Sequence, residues 1–211
     1  MDELNLSRLI VEELHKQMAR SGAIYVGVSA RHIHLKEQDV EALFGKGYQL
    51  NVLTSLLEPG EFAAKETLTI AGPKMKTIQN VRILGPLRSE TQVELALSDS
   101  IPIGLDPPVR RSGDIAGSSP ITLIGPKGAI NLEQGCIRAN RHIHLDPETA
   151  EILKLKDNDT IVVKVGGVKS TVLGEVQVRI KKGWISVIHL DTDDSNAADL
   201  KQGDVVWITG R

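Results

Sequence analysis

The chain has 211 residues, a formal charge of −2 with acidic and basic residues interspersed, and a single cysteine, Cys136. No basic stripe recommends a nucleic acid or an anionic membrane as partner, and no apolar run approaches the ~20 residues of a membrane helix. The opening MDELNL lacks the basic and apolar regions of a secretory signal, and a lone thiol excludes an internal disulfide and suits a reducing, cytosolic or enclosed compartment.

The first predicted element is a helix over residues 4–20, where Leu6, Leu9, Ile10 and Leu14 recur at helical steps. Glu13 and Gln17 interrupt that stripe, and Ser21-Gly22 ends it. Beyond Ile24 the chain changes to short β-branched runs punctuated by Gly and Pro. Tyr25–Ser29, Glu66–Ile70, Val81–Leu84, Gln92–Leu97, Ile161–Val165 and Val205–Ile208 are predicted strands. Many short strands at regular spacing imply a sandwich or barrel.

One pentapeptide occurs twice, Arg31-His-Ile-His-Leu35 and Arg141-His-Ile-His-Leu145, 110 positions apart. A short helix is predicted after each copy: Lys36–Phe44 after the first, and one opened by Asp146 as N-cap and Pro147 as first residue after the second. Gly-Pro-Lys also recurs, at 72–74 and 125–127. A repeat of this length implies a duplicated domain rather than a solenoid, so the expectation is two related β-barrel units with short capping helices.

Side chains at i and i+2 of an extended segment share a face. His32 and His34 can therefore reach one metal ion, as can His142 and His144. Imidazole is a favoured zinc ligand, and a catalytic zinc keeps three protein ligands and an open position. Each pair lacks one partner; Glu94 and His189 stand in apolar strand settings and are the candidates, while His15 is expected to be solvated on the first helix. A single His-x-His is commonly two strand residues and nothing more, but two copies with the same flanking Arg and Leu argue for metal. Arg88, Arg82, Arg110 and Arg111 could grip phosphate oxygens if the fold converges them. No phosphate-cradling glycine loop and no serine nucleophile elbow occurs. Cys136 has no activating neighbour in sequence and reads as a buried structural residue.

The stretches VGVSARHIHL, GPKMKTIQNVRILGPLRSETQVEL, PPVRRSGD, RANRHIHL and VIHLDTDDSNAADL, in this order and covering nearly everything from residue 25 onward, resemble the phosphate propanoyltransferases, the PduL-type phosphotransacylases of bacterial microcompartments. The resemblance implies a mainly β fold of two barrels, residues 31–139 forming one and residues 22–30 with 140–211 the other, with the active site at the domain interface. It implies two zinc ions per chain, one held by His32, His34 and Glu94 and the other by His142, His144 and His189. It further implies phosphate on Arg88, which would be the catalytic arginine, and coenzyme A along Val28, Ser29, Ala30, Lys74, Arg82 and Asn196. The segment between Lys74 and Arg82 is one residue longer than the family pattern.

The implied reaction is reversible acyl transfer between CoA and phosphate, with propanoyl-CoA as substrate, acetyl-CoA as the shorter candidate, and propanediol degradation as the setting. The competing readings are a zinc-dependent ester or thioester hydrolase and a non-catalytic, shell-associated metal-binding module. Residues 1–20 resemble the amphipathic encapsulation peptides that carry enzymes to shell or core proteins. That implies a microcompartment location, with the cytoplasm as the alternative and a homo-oligomer compatible with either. A short helix with an apolar stripe must dock somewhere, and its own barrel is the competing surface.

Overall fold

The computed structural model of the chain describes residues 3–210; within the first helix it describes the side chains of residues 6, 9 and 10 and of residue 13 onward. Residues 1 and 2 of the predicted N-terminal segment lie outside the described residues. The chain runs through α1 (Glu3–Arg20), β1 (Ala23–Ser29), β2 (His32–His34), α2 (Glu37–Phe44), β3 (Val52–Ser55), β4 (Phe62–Ala71) and β5 (Thr77–Gly85). It continues with β6 (Gln92–Glu94), α3 (Leu97–Ile103), β7 (Val109–Arg110), β8 (Ser119–Ile124), β9 (Ala129–Ala139) and β10 (His142–Leu145). The rest is α4 (Pro147–Ile152), β11 (Thr160–Val165), β12 (Thr171–Ile180), β13 (Val187–Asp191), α5 (Thr192–Ala197) and β14 (Val205–Gly210). The predicted strand Gln92–Leu97 stops at Glu94, because Leu97 already opens α3.

Two compact units divide the chain: a continuous one, Ala30–Asn140, and a discontinuous one made of the segment up to Ser29 together with that from Arg141 onward. In the continuous unit β4, β5, β2, β6, β9 and β8 pair in that order, and β8 returns to β4, closing a six-stranded barrel. Strands β3 and β7 add to β4 and β9 outside the ring. In the discontinuous unit β1, β13, β10, β12, β11 and β14 close a second barrel.

The two rings have the same pairing senses. β2 runs parallel to β5 and β6 to β9 in one, and β10 runs parallel to β12 and β13 to β1 in the other; all remaining ring pairs are antiparallel. Each barrel closes on its own apolar core, around Ile33, Leu35, Ile83 and Val93 in one and Ile143, Leu145, Val178 and Ile188 in the other. Closure matters because a ring has no unpaired edge.

By this correspondence β1 plays in its barrel the part that β9 plays in the other. Each lies immediately before a His-x-His strand in sequence, yet pairs within the barrel that the following His-x-His strand does not join. The duplicated unit is thus a strand followed by five more, with the leading strands exchanged.

A second, shorter repeat, Gly-Pro-Lys, runs inside the continuous unit. Both copies belong to this unit, one in the β4–β5 turn and one in the β8–β9 turn. The backbone N–H of Lys74 donates to the carbonyl of Ile103, the last residue of α3 (3.3 Å), and that of Lys127 donates to the carbonyl of Leu43 near the end of α2 (3.0 Å). Each turn satisfies a carbonyl that the helix end leaves without an internal partner. Glycine is required for the approach: a Cβ on Gly72 would lie 2.3 Å from the Ile103 oxygen, and one on Gly125 2.6 Å from the Leu43 oxygen.

Helix α1 belongs to the discontinuous unit in its last turns. Ala19 is fully buried in that core, Lys16 Nζ meets Glu148 at 2.7 Å, and the His15 ring lies 4.7 Å from that of Tyr25. His15 is therefore packed and half-buried rather than solvated, and burial lowers its pKa. The predicted stripe Leu6, Leu9, Ile10 and Leu14 remains about half exposed.

Candidate metal centres

In the continuous unit β2 lies between β5 and β6. Ile33 enters the core, so alternation puts His32 and His34 together on the opposite face. Glu94 stands directly across from His32 in the antiparallel register of β2 and β6. Ligand atoms of His32, His34 and Glu94 all lie within 4.8 Å of one another, and all three residues are buried. The His32 Nδ1 is 2.9 Å from the Ala30 carbonyl oxygen, which can only accept; the Nδ1–H tautomer donates to it and leaves the lone pair on Nε2. That Nε2 is 3.6 Å from Glu94 Oε2. Two donors each ~2.0–2.1 Å from a tetrahedral zinc stand about 3.4 Å apart, so this donor set fits one ion. Burial, then His32 and the Arg88 guanidinium, push His34 down to about 2, keeping its imidazole in the neutral form that binds metal.

Around Glu94 is a second layer of polar groups. Gln92 Nε2 donates to Glu94 Oε1 at 2.6 Å, and the Ser112 hydroxyl donates to the same oxygen at 2.8 Å. Arg88 Nη1 donates to Ser112 Oγ at 3.1 Å, and the Gly113 N–H to Gln92 Oε1 at 2.7 Å. Arg88 is half-buried; burial lowers its pKa, while Glu94 and Glu61 oppose the shift. Sequence reasoning singled out Arg110 and Arg111 of the Arg-Arg-Ser-Gly stretch and passed over the residues after them. Arg110 Nη1 turns back to the carbonyl of Val109, and Ser112 with the Gly113 N–H are the groups that reach Gln92 and Glu94. The only sequence signal for Gln92 was its position two before Glu94, on the same strand face.

The discontinuous unit repeats the arrangement. His142 and His144 lie on β10 with Ile143 in the core between them, and His189 on β13 faces His142 at the register position that Glu94 holds opposite His32. Ligand atoms of the three histidines lie within 4.8 Å of one another. The His144 ring stacks on Trp184 at 3.8 Å between centroids, with the Arg179 guanidinium 5.7 Å and the Lys181 ammonium 5.5 Å from that indole. Trp184, one of two tryptophans, was also missed; in sequence it is a lone aromatic after a Lys-Lys-Gly turn. Among the described residues these two are the clusters of three or more His, Cys, Asp or Glu side chains placed to hold a metal.

The arginine that opens each pentapeptide does the same work in both units. Arg31 Nη1 meets Asp99 of α3 at 2.8 Å, and Arg141 meets Asp194 of α5 through two bonds of 2.9 and 2.7 Å. Each helix directly follows the strand carrying the third candidate ligand, so the ion pair ties the His-x-His strand to that neighbour.

The remaining predicted residues divide between the units. Val28 and Ser29 end β1, Ser29 pairs with Asp191, and Asp191 caps α5, which contains Asn196. Ala30, Lys74 and Arg82 belong to the continuous unit. Arg82 pairs with His32 across the parallel strands, and its Nη1 donates to the carbonyls of Ala64 and Lys65 at 2.9 and 2.8 Å. The Lys74 stem lies against Gly104, where an added Cβ would come within 2.5 Å of it. Cys136 is fully buried in the core and its thiol is pushed up to about 12.

A family model described as phosphate propanoyltransferase matches residues 25–201. A protein of Lachnoclostridium phytofermentans named phosphate propanoyltransferase is 47% identical over 205 residues, covering 96% of each chain. One of Thermotoga maritima with the same name is 46% identical, covering 94% of each chain, and one of Clostridioides difficile is 39% identical, covering 97% of each. No described helix is long and apolar enough to cross a membrane. With two barrels of matching topology and near full-length similarity to these relatives, the chain belongs to the phosphate propanoyltransferase family of acyltransferases.

Proposed function

We propose that this protein interconverts propanoyl-CoA plus phosphate with propanoyl phosphate plus CoA, accepts acetyl-CoA as the shorter substrate, and holds one zinc ion in each candidate cluster. The observation that carries this reading is Arg88: a half-buried guanidinium linked through one hydroxyl to the carboxylate of a metal-ligand set. When bound, zinc supplies Lewis-acid stabilisation of oxygen or thiolate charge. Arg88 binds and orients the phosphate, turning an encounter between anions into a positioned one. A phosphate oxygen then attacks the thioester carbonyl carbon, the carbon–sulfur bond breaks, and the electron pair leaves on the CoA sulfur. Ala30, through its carbonyl, holds the His32 ring, while Gln92 and Ser112 hold Glu94 Oε1 and leave Oε2 turned to the imidazoles. Coenzyme A is assigned to Val28, Ser29, Ala30, Lys74, Arg82 and Asn196. Transfer is direct, for the one thiol of the chain, Cys136, is buried and keeps its proton.

The zinc hydrolase reading shares the ligands and needs no phosphate. CoA release from propanoyl-CoA, followed with and without phosphate and with arsenate as substitute acceptor, separates the two. The transferase predicts release that depends on phosphate or arsenate and Cys136→Ala at wild-type rate; equal rates in phosphate-free buffer would establish the hydrolase.

For location, we propose that the exposed stripe of α1 docks on shell or core proteins of a microcompartment. The exposure of Leu6, Leu9, Ile10 and Leu14, against the buried Ala19, supports it. Leu9→Glu with Leu14→Glu is expected to leave the melting temperature within about 2 °C, as exposed substitutions do, and to abolish co-sedimentation with shells. A large drop in melting temperature would instead assign the stripe to the protein's own fold.

A further inference from the structure

We propose that Ser112 is a positioning residue that couples the phosphate-binding arginine to the metal-ligating carboxylate; the phosphate half of this inference rests on the role given above to Arg88. A serine hydroxyl has one proton to donate and two lone pairs to offer. At Ser112 all three are used: Arg88 Nη1 and Gln92 Nε2 donate to Oγ at 3.1 and 3.0 Å, and the hydroxyl donates to Glu94 Oε1 at 2.8 Å. The proton has one acceptor to go to, so its direction is set.

Gln92 cannot flip to release the arrangement. The Gly113 N–H donates to its Oε1 at 2.7 Å, which turns its Nε2 toward Glu94 and Ser112. The same bond anchors the Ser112 loop to β6. Two of the Ser112 bonds have a charged partner, and such bonds are the stronger kind.

The consequences differ for the two charged groups. Arg88 has Nη1 tied to Ser112, which presents its Nε–Nη2 edge as the two-donor fork that suits a phosphate. Glu94 accepts from two donors at Oε1 and turns Oε2 toward His32, 3.6 Å from its Nε2, the orientation in which Oε2 would coordinate. One hydroxyl therefore sets both the angle of the phosphate fork and the coordination mode of the carboxylate. Ser112 itself touches neither phosphate nor metal in this scheme.

The test compares Ser112→Ala, Ser112→Thr and Arg88→Ala in the full-length, zinc-loaded chain, with three readouts. These are the Michaelis constants for phosphate and propanoyl-CoA, the kinetics of zinc release to a chromogenic chelator, and the melting temperature. Ser112→Ala should raise the phosphate constant about tenfold, the order expected when a hydrogen bond to a charged group is lost, and leave that for propanoyl-CoA within about twofold. One of two zinc ions should leave about tenfold faster, as for loss of an outer-shell partner, while the other keeps its wild-type rate. Ser112→Thr, which retains the hydroxyl, should restore both readouts.

A phosphate-specific defect in Arg88→Ala with none in Ser112→Ala, and unchanged zinc release, overturns the positioning role while the phosphate reading stands. Should Arg88→Ala leave the phosphate constant unchanged, the phosphate reading fails and zinc release alone decides Ser112: selective loss of one ion supports its tie to Glu94, and unchanged release overturns it. Equal defects for both substrates with a large fall in melting temperature, or no rescue by threonine, overturn it as well.

Discussion

Each position of the repeated Arg-His-Ile-His-Leu has its own physical task. The isoleucine and leucine are fully buried in both barrels, the two histidines share the opposite strand face, and the arginine reaches an aspartate on the helix beyond the neighbouring strand. The site is therefore built on the same pentapeptide whose isoleucine and leucine fill the core, and its histidines are buried with them. His34 shows the cost. Its folded pKa is held near 2 by burial, then by His32 and Arg88, against an ordinary 6.5. Between these values the unfolded chain binds a proton that the folded one does not, so this group's contribution is fully present above 6.5 and is lost progressively as pH falls toward 2. Metal-free protein is thus expected to lose melting temperature on acidification below 6.5, and His34→Gln to flatten that part of the profile. A wild-type stability that stays level from pH 7 to 4, measured by calorimetry after chelation, would contradict the assignment.

The Gly-Pro-Lys turns show how short elements hold the barrel mouth. Each hairpin turn of the continuous unit caps a helix of the other half of the same barrel, with a glycine whose missing Cβ lets backbone meet backbone. Gly72→Ala and Gly125→Ala are each expected to cost about 1–3 kcal/mol through overpacking, read as a fall of several degrees in melting temperature. Gly174→Ala in β12, where nothing lies within 4 Å of the added Cβ, is the control and should change little. Equal effects at all three positions would show that the close approaches carry no weight. The sequence displays these tripeptides plainly, but their spacing alone cannot say which helices they cap, since capping partners lie far along the chain.

The exchange of β1 and β9 makes the two units unequal as chains although they match as barrels. Residues 30–140 contain all six strands of their ring, whereas residues 141–211 lack β1 and leave β13 and β14 without a partner between them. Expressed alone, residues 30–140 should unfold cooperatively, while residues 141–211 should be unfolded or aggregated, as unpaired edges favour. Fusing residues 21–29 through a flexible linker to the latter should restore cooperative unfolding by circular dichroism. Folding of residues 141–211 without β1 would contradict the requirement for the exchanged strand.

Much of this was legible from residue order, because it rests on local rules. The two-residue period of a strand places His32 with His34 and His142 with His144, and an Asp-Pro pair opens α4 at the predicted residues. The strand texture announces a sandwich or barrel, and the duplicated pentapeptide announces two related units. Register and distance in space were not legible. That Glu94 and His189 occupy equivalent positions follows from cross-strand pairing, Ser112 reaches Glu94 across 18 residues of chain, and Trp184 meets His144 across 40. A sequence records which side chains share a face of one element; which faces meet is decided when the strands pair and the apolar residues between the histidines are drawn into a core.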